Sequence, residues 1–86
     1  MPSVVLVRRA RRELLALEWP VADAVEEALA QLEHDSIAGH ALRGWLTGLR
    51  ALRIGSFRVI YQIIDERTVR VLAILHRSVA YRADPR

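Results

Sequence analysis

The sequence predicts an α+β fold, a helical hairpin packed on a small antiparallel sheet in the order β-α-α-β-β-β. A β-branched run, Ser3 to Val7, opens the chain, and two stretches with apolar residues at helical spacing follow it. Three apolar runs of strand length then fill the second half, divided by Gly55-Ser56 and by Asp65-Glu66-Arg67-Thr68. A length of 86 residues is that of one domain, 1–86, with a modest core.

Ser3 to Val7 ends at a charge cluster and reads as the first strand. Arg8 to Glu18 sets Leu14, Leu15 and Leu17 among Arg9, Arg11, Arg12 and Glu13, the pattern of a short amphipathic helix with a charged outer face. Pro20 interrupts that pattern. Beyond it Val21, Ala24, Val25, Ala28, Leu29 and Leu32 recur at helical spacing opposite Asp23, Glu26, Glu27 and Glu33, with acids near the start where the macrodipole favours them. His34 to His40 is a turn-rich connection, and both histidines are expected to be exposed loop residues; no third ligand stands at metal-binding spacing. Trp45, between two glycines, is expected to cap the core. Arg50 to Ile54 and Phe57 to Ile64 make a hairpin across Gly55-Ser56, and Val69 to Leu75 returns as the last strand. By alternation Phe57, Val59, Tyr61 and Ile63 take the core face and Arg58, Ile60, Gln62 and Ile64 the other. The last strand divides into Val69, Val71, Ala73, Leu75 and Arg70, Leu72, Ile74, His76.

The composition is that of a globular protein, 52% apolar and 27% charged, and no apolar run reaches membrane-spanning length. The start, MPSVVLVRRARR, lacks the long apolar region and small-residue cleavage site of a secretory signal. Cysteine is absent, which excludes disulfides and thiolate metal sites and fits a cytoplasmic location. All 13 basic residues are arginine. Residues 1–41 carry four of them against seven acids, and residues 42–86 carry nine against three, so a net charge of +3 divides into −3 and +6. A basic half in a chain of pI about 10.5 calls for a nucleic acid or an acidic protein as partner.

Several segments together resemble the RelE/ParE superfamily of bacterial toxins over nearly the whole chain: RRARREL after the first strand, VADAVEEALAQLE, ALRGWLTGLRALRIGSFRVIYQIID and ILHRSVAYR. The most specific pieces are Leu42-Arg43-Gly44, the run from Leu52 to Tyr61, and His76-Arg77 with Tyr81 four residues on. The resemblance implies a RelE-like α+β domain with a concave basic face and a cognate antitoxin held in a heteromeric toxin–antitoxin complex. For RelE-like members it implies the ribosome and messenger RNA as targets and metal-independent endoribonuclease activity without a cofactor. ParE-like members share the fold and poison DNA gyrase instead.

Cleavage of RNA without a metal needs activation of a ribose 2′-hydroxyl, stabilisation of the charged phosphorane and protonation of the leaving oxygen. Arginine suits the second task and, with its high pKa, not the first. Arg58 and Arg77 are the candidates for phosphate stabilisation, Tyr81 and His76 for proton transfer, and Arg43, Arg50 and Arg53 for binding the RNA backbone. The alternative for Arg58 is an ion pair with Asp65 or Glu66. The lysine pair of the best-known RelE-like nucleases falls on Leu49 and Ala51, which cannot move protons. Three readings are open: a ribosome-dependent nuclease, a gyrase poison, or a non-catalytic antitoxin-binding module. The first requires Arg58, Arg77 and Tyr81 to share one hollow.

Overall fold

The computed structural model describes residues 1–86. The elements are β1 (Ser3–Leu6), α1 (Arg8–Leu15), α2 (Trp19–His34), β2 (His40–Ala41), a 3-10 turn (Gly44–Leu46), β3 (Arg50–Ile54), β4 (Phe57–Asp65) and β5 (Thr68–His76). They build a five-stranded sheet in the order β1-β5-β4-β3-β2 with both helices on one face. The expected order holds, with the two-residue β2 added. The sheet is mixed rather than wholly antiparallel, because β1 joins β5 in parallel from Ser3↔Thr68 to Leu6↔Val71. Parallel neighbours need a long connection between them, which the rest of the chain provides; side-chain alternation carries no record of strand direction. α1 stops at Leu15, short of Glu18, and α2 starts at Trp19 with Pro20 in its first turn, where the missing N–H costs nothing.

The core lies in two layers. Ala10, Val25, Leu29 and Leu32 of the helices pack on Val59, Tyr61, Val69, Val71 and Ile74. On the opposite face Leu46, Leu49 and Ala80 pack on Ile60, Leu72 and Ala73. A β-bulge creates this second layer: Ile60 pairs with Ala73 and Tyr61 with Val71, leaving Leu72 as the extra residue. One inserted residue reverses the side-chain parity of everything after it. Strict alternation is therefore corrected on β5, where Ile74 joins Val69 and Val71 under the helices while Ala73 turns away from them. Glu13 fastens α1 beside the bulge, its Oε1 accepting the Ile74 amide at 3.0 Å and its Oε2 the Arg9 Nε at 3.2 Å. Ile63, expected in the core, sits at the second register shift and is 36% exposed. Trp45 does not cap the core either; it is 60% exposed, and the neighbouring Leu46 is buried in its stead.

Three local devices position the hairpin end and the segments packed beside it. Ile54 pairs with Phe57, and the turn between them has a positive φ at Gly55 (56°) alone, the pattern of a type II′ turn that needs glycine first. The buried Tyr61 hydroxyl donates to the Ser36 carbonyl (2.8 Å) and accepts from the Gly39 amide (3.2 Å) and Arg50 Nε (3.2 Å), tying the α2–β2 connection to the sheet. Arg86 donates to the carbonyls of Thr47 (2.9 Å) and Trp45 (3.2 Å) while paired with Asp84, so the last residues lie against the 3-10 turn.

Candidate nucleic-acid interface

The face of the sheet away from the helices carries the candidate site at its β3–β4 hairpin end. Arg53 and Arg58 are direct cross-strand partners, so their side chains leave the sheet on the same face with Cβ atoms about 5 Å apart. Leu52 and Ile54, on either side of Arg53, pack with the helices, which places Arg53 opposite them. Arg58 Nη1 donates to the carbonyls of Gly55 (2.9 Å) and Phe57 (2.8 Å). Its Nε and Nη2 hydrogens make no bond within the chain, and they form the edge of a guanidinium that grips phosphate in bidentate fashion. Arg77, just beyond β5, donates its backbone amide to Ser56 O at 2.7 Å. One arginine thus holds the Gly55-Ser56 turn through its side chain and the other through its main chain. After Arg77 the chain folds back over the same face, seated by the buried Ala80, and presents Tyr81 at 37% exposure.

The remaining candidates are placed elsewhere. His76 pairs with Phe57 on the helix face, its ring edge-on to Phe57 with centroids 5.5 Å apart. Its Nδ1 accepts the Ser78 amide at 3.1 Å and lies 2.8 Å from Ser78 Oγ. The sheet therefore separates the His76 imidazole from the guanidinium of Arg58. Arg50 is on the helix face as well, where it donates to Tyr61 Oη and to the carbonyls of Ile37 (3.2 Å) and Gly39 (2.8 Å). Arg43 is exposed at the start of the 3-10 turn.

The electrostatics of the hairpin end are one-sided. The ion pairs of the chain are Arg9–Glu13 and Arg86–Asp84, so Arg43, Arg53, Arg58 and Arg77 have no carboxylate partner, and Asp65 and Glu66 do not reach Arg58. Like charges directly opposite on a sheet are destabilising, and an anion laid across them relieves the cost. Leu49 and Ala51, 1% and 0% exposed, close the middle of this face with packed apolar groups. The hollow expected to unite Arg58, Arg77 and Tyr81 is not found, since none of the three lines any of the clefts of the chain. A cleft of about 450 Å³ opens beside Arg53, lined by Ala38, Gly39, His40, Ala51, Leu52 and Arg53. His40 is the one residue there with proton-transfer chemistry. Its place on a strand is invisible to periodicity, because a two-residue strand has no alternation to detect.

The sequence and the fold match known proteins. A family model described as the ParE toxin of type II toxin–antitoxin systems fits residues 4–81. Toxin RelG of Mycobacterium tuberculosis is 38% identical over 86 residues, covering 95% of this chain and 99% of its own length. Toxin RelE of the same organism is 34% identical over 85 residues, covering 95% and 88%. Among solved structures, a chain of the M. tuberculosis RelBE2 toxin–antitoxin complex superposes with a TM-score of 0.80 at 34% identity, covering 90% of this chain and 100% of that one. The isolated Escherichia coli RelE toxin shares the fold, with a TM-score of 0.75 at 22% identity over 88% of this chain and 84% of its own. The matched residues 4–81 take in the β3–β4 hairpin and the closing His76-Arg77 motif, and the chain belongs to the ParE toxin family of type II toxin–antitoxin systems as a RelE-like toxin.

Proposed function

We propose that this RelE-like toxin arrests growth by cutting messenger RNA on the translating ribosome, in the cytoplasm, and that a cognate antitoxin restrains it in a heteromeric complex. The observation that carries the reading is the free Nε/Nη2 edge of Arg58 beside its cross-strand partner Arg53, with Arg77 held to the same turn through its backbone amide and none of the three paired with a carboxylate. Relatives named as RelE toxins and a RelBE2 complex support the target class and the antitoxin. In this reading Arg58 and Arg77 hold the scissile phosphate and stabilise the charge that builds on it, Arg53 and Arg43 bind flanking phosphates, and the Tyr81 hydroxyl protonates the leaving 5′-oxygen. Arg50 and His76 support the site from behind rather than touching RNA. Inducible expression with mapping of cut ends on cellular messages tests this. Cuts confined to translated regions, and lost when translation is blocked, are expected; growth arrest without such cuts overturns it.

A second reading rests on Leu49 and Ala51. Both are buried, so no cationic proton carrier stands in the middle of the face, and the matching family model is that of ParE. Action on DNA gyrase predicts inhibition of supercoiling by stoichiometric purified toxin. Undiminished supercoiling removes that reading.

A further inference from the structure

The hairpin end lacks a group to take the proton from the attacking hydroxyl. Arginine does not accept one near neutral pH, and the His76 ring is on the far side of the sheet. We infer that His40 is the general base of this site, an assignment that rests on the nuclease reading.

The register places it. His40 pairs with Ala51 across β2 and β3, and cross-strand partners share a face. Ala51 lies two residues from Arg53 on β3, hence on that same face, and Arg53 is directly opposite Arg58 on β4. His40 and Arg53 are therefore diagonal neighbours on one face, about 7–8 Å apart at the backbone and within reach of long side chains, with Arg58 one strand further on beside Arg53. Both line the cleft of about 450 Å³ at this edge. The imidazole is exposed, has no carboxylate partner and makes no hydrogen bond within the chain, so it is free to meet a ligand. Ala51 directly beside it has only a methyl group and leaves the ring room. The charged group facing it from β3 is Arg53; the neighbouring Arg50 is turned to the helix face.

Placement of β2 is itself well fixed. Gly39, immediately before His40, lies so close to the Ala51 carbonyl and the Tyr61 hydroxyl that a Cβ does not fit, and its amide is bonded to Tyr61 Oη. The backbone that carries the imidazole is thus clamped to the sheet that carries the arginines.

The step balances without a further reactant. The neutral His40 ring takes the 2′-hydroxyl proton as O2′ forms its bond to phosphorus; the P–O5′ bond breaks, and O5′ leaves with a proton from the Tyr81 hydroxyl. A 2′,3′-cyclic phosphate and a 5′-hydroxyl result, and solvent returns the proton from imidazolium to phenolate.

Two measurements on the full-length chain test the assignment. In ribosome-dependent cleavage, His40→Gln is expected to lower the single-turnover rate at least tenfold, to leave the concentration dependence within about twofold, and to abolish the fall in rate on the acid side of the pH profile. In NMR titration with an uncleavable 2′-O-methyl oligoribonucleotide, the His40 ring signals are expected to shift together with the side-chain Nε–H signals of Arg53 and Arg58. A His40→Gln variant with unchanged rate and pH profile overturns the proposal, as does movement of the arginine signals without that of His40; in either case the nuclease reading stands. Wild-type toxin that neither cleaves nor shifts any of the three signals overturns both.

Discussion

Arg50 and Arg58 lie on the two strands of one hairpin and do opposite things, which only their hydrogen bonds reveal. Arg50 is bonded to Tyr61, Ile37 and Gly39 and holds the α2–β2 connection, whereas Arg58 keeps one edge of its guanidinium free. Arg58→Ala and Arg77→Ala are each expected to lower cleavage by about 10²-fold or more, the scale of losing one charge-stabilising donor, and to relieve growth arrest while the chain still folds. Tyr81→Phe is expected to cost a similar factor through loss of the acid. If these variants stay fully toxic, the assignment of the hairpin end is wrong. Arg50→Ala should do the reverse. It leaves Tyr61 Oη and the Gly39 carbonyl short of partners and is expected to destabilise by about 1–3 kcal/mol, read as a lower denaturant midpoint. Sequence alone puts both residues in one class, because composition and spacing report a charge and not the direction in which it points.

At the level of elements, the bulge at Leu72 and the short β2 decide what the faces contain. Without the bulge Ile74 would leave the helix layer, and the second apolar layer of Leu46, Leu49 and Ala80 would lose Leu72 or Ala73 from its floor. The segmentation into helices and strands was legible, since apolar periodicity is a property of local sequence; the parity of β5 was not, since a bulge inside an unbroken apolar run such as VRVLAIL changes no residue type. β2 depends on close approach at Gly39. Gly39→Ala forces a Cβ into the Ala51 backbone carbonyl and is expected to destabilise by about 1–3 kcal/mol. For a chain of this size that is a fall in Tm of about 4–8 °C per kcal/mol, measurable by calorimetry. Tyr61→Phe should loosen residues 36–40 selectively, seen as faster amide exchange at Gly39, because it removes the hydroxyl that accepts that amide. An unchanged exchange rate there would contradict the role given to Tyr61.

For the molecule as a whole, the helix layer carries the acids of α2 together with the arginines of α1, and the other face carries the unpaired Arg53 and Arg58 at its hairpin end. RNA binding is therefore expected to weaken steeply with salt, and loss of both Arg53 and Arg77 should reduce the log–log slope by about 0.7 for each phosphate contact removed from a single strand. The far side of the same face is fastened by the Asp84–Arg86 pair. The Arg86 side chain, with its amide, hydrogen-bonds Asp84 and holds the carboxyl below its ordinary value of 3.8. A lowered carboxyl contributes its stabilisation above that ordinary value and loses it as pH falls through the lowered one. Protection of the Arg86 amide, which donates to Asp84 Oδ1, taken relative to its intrinsic exchange rate at each pH, should accordingly be lost only below pH 3.8, and Asp84→Asn should remove that pH dependence. No helix is long and apolar enough to cross a membrane, in keeping with a chain whose apolar residues are taken up by two internal layers.

The order of elements, the hairpin at Gly55-Ser56, the basic second half and the motifs that mark the toxin family are all written in the chain before it folds. Each of these is local: a period, a turn residue, a run of charge. Folding alone settled that β1 runs parallel to β5, that Arg53 faces Arg58, that His76 is turned from them and that His40 stands diagonal to Arg53 on their face. Those facts depend on which strands meet and in what register, and register is set by packing between residues far apart in the chain.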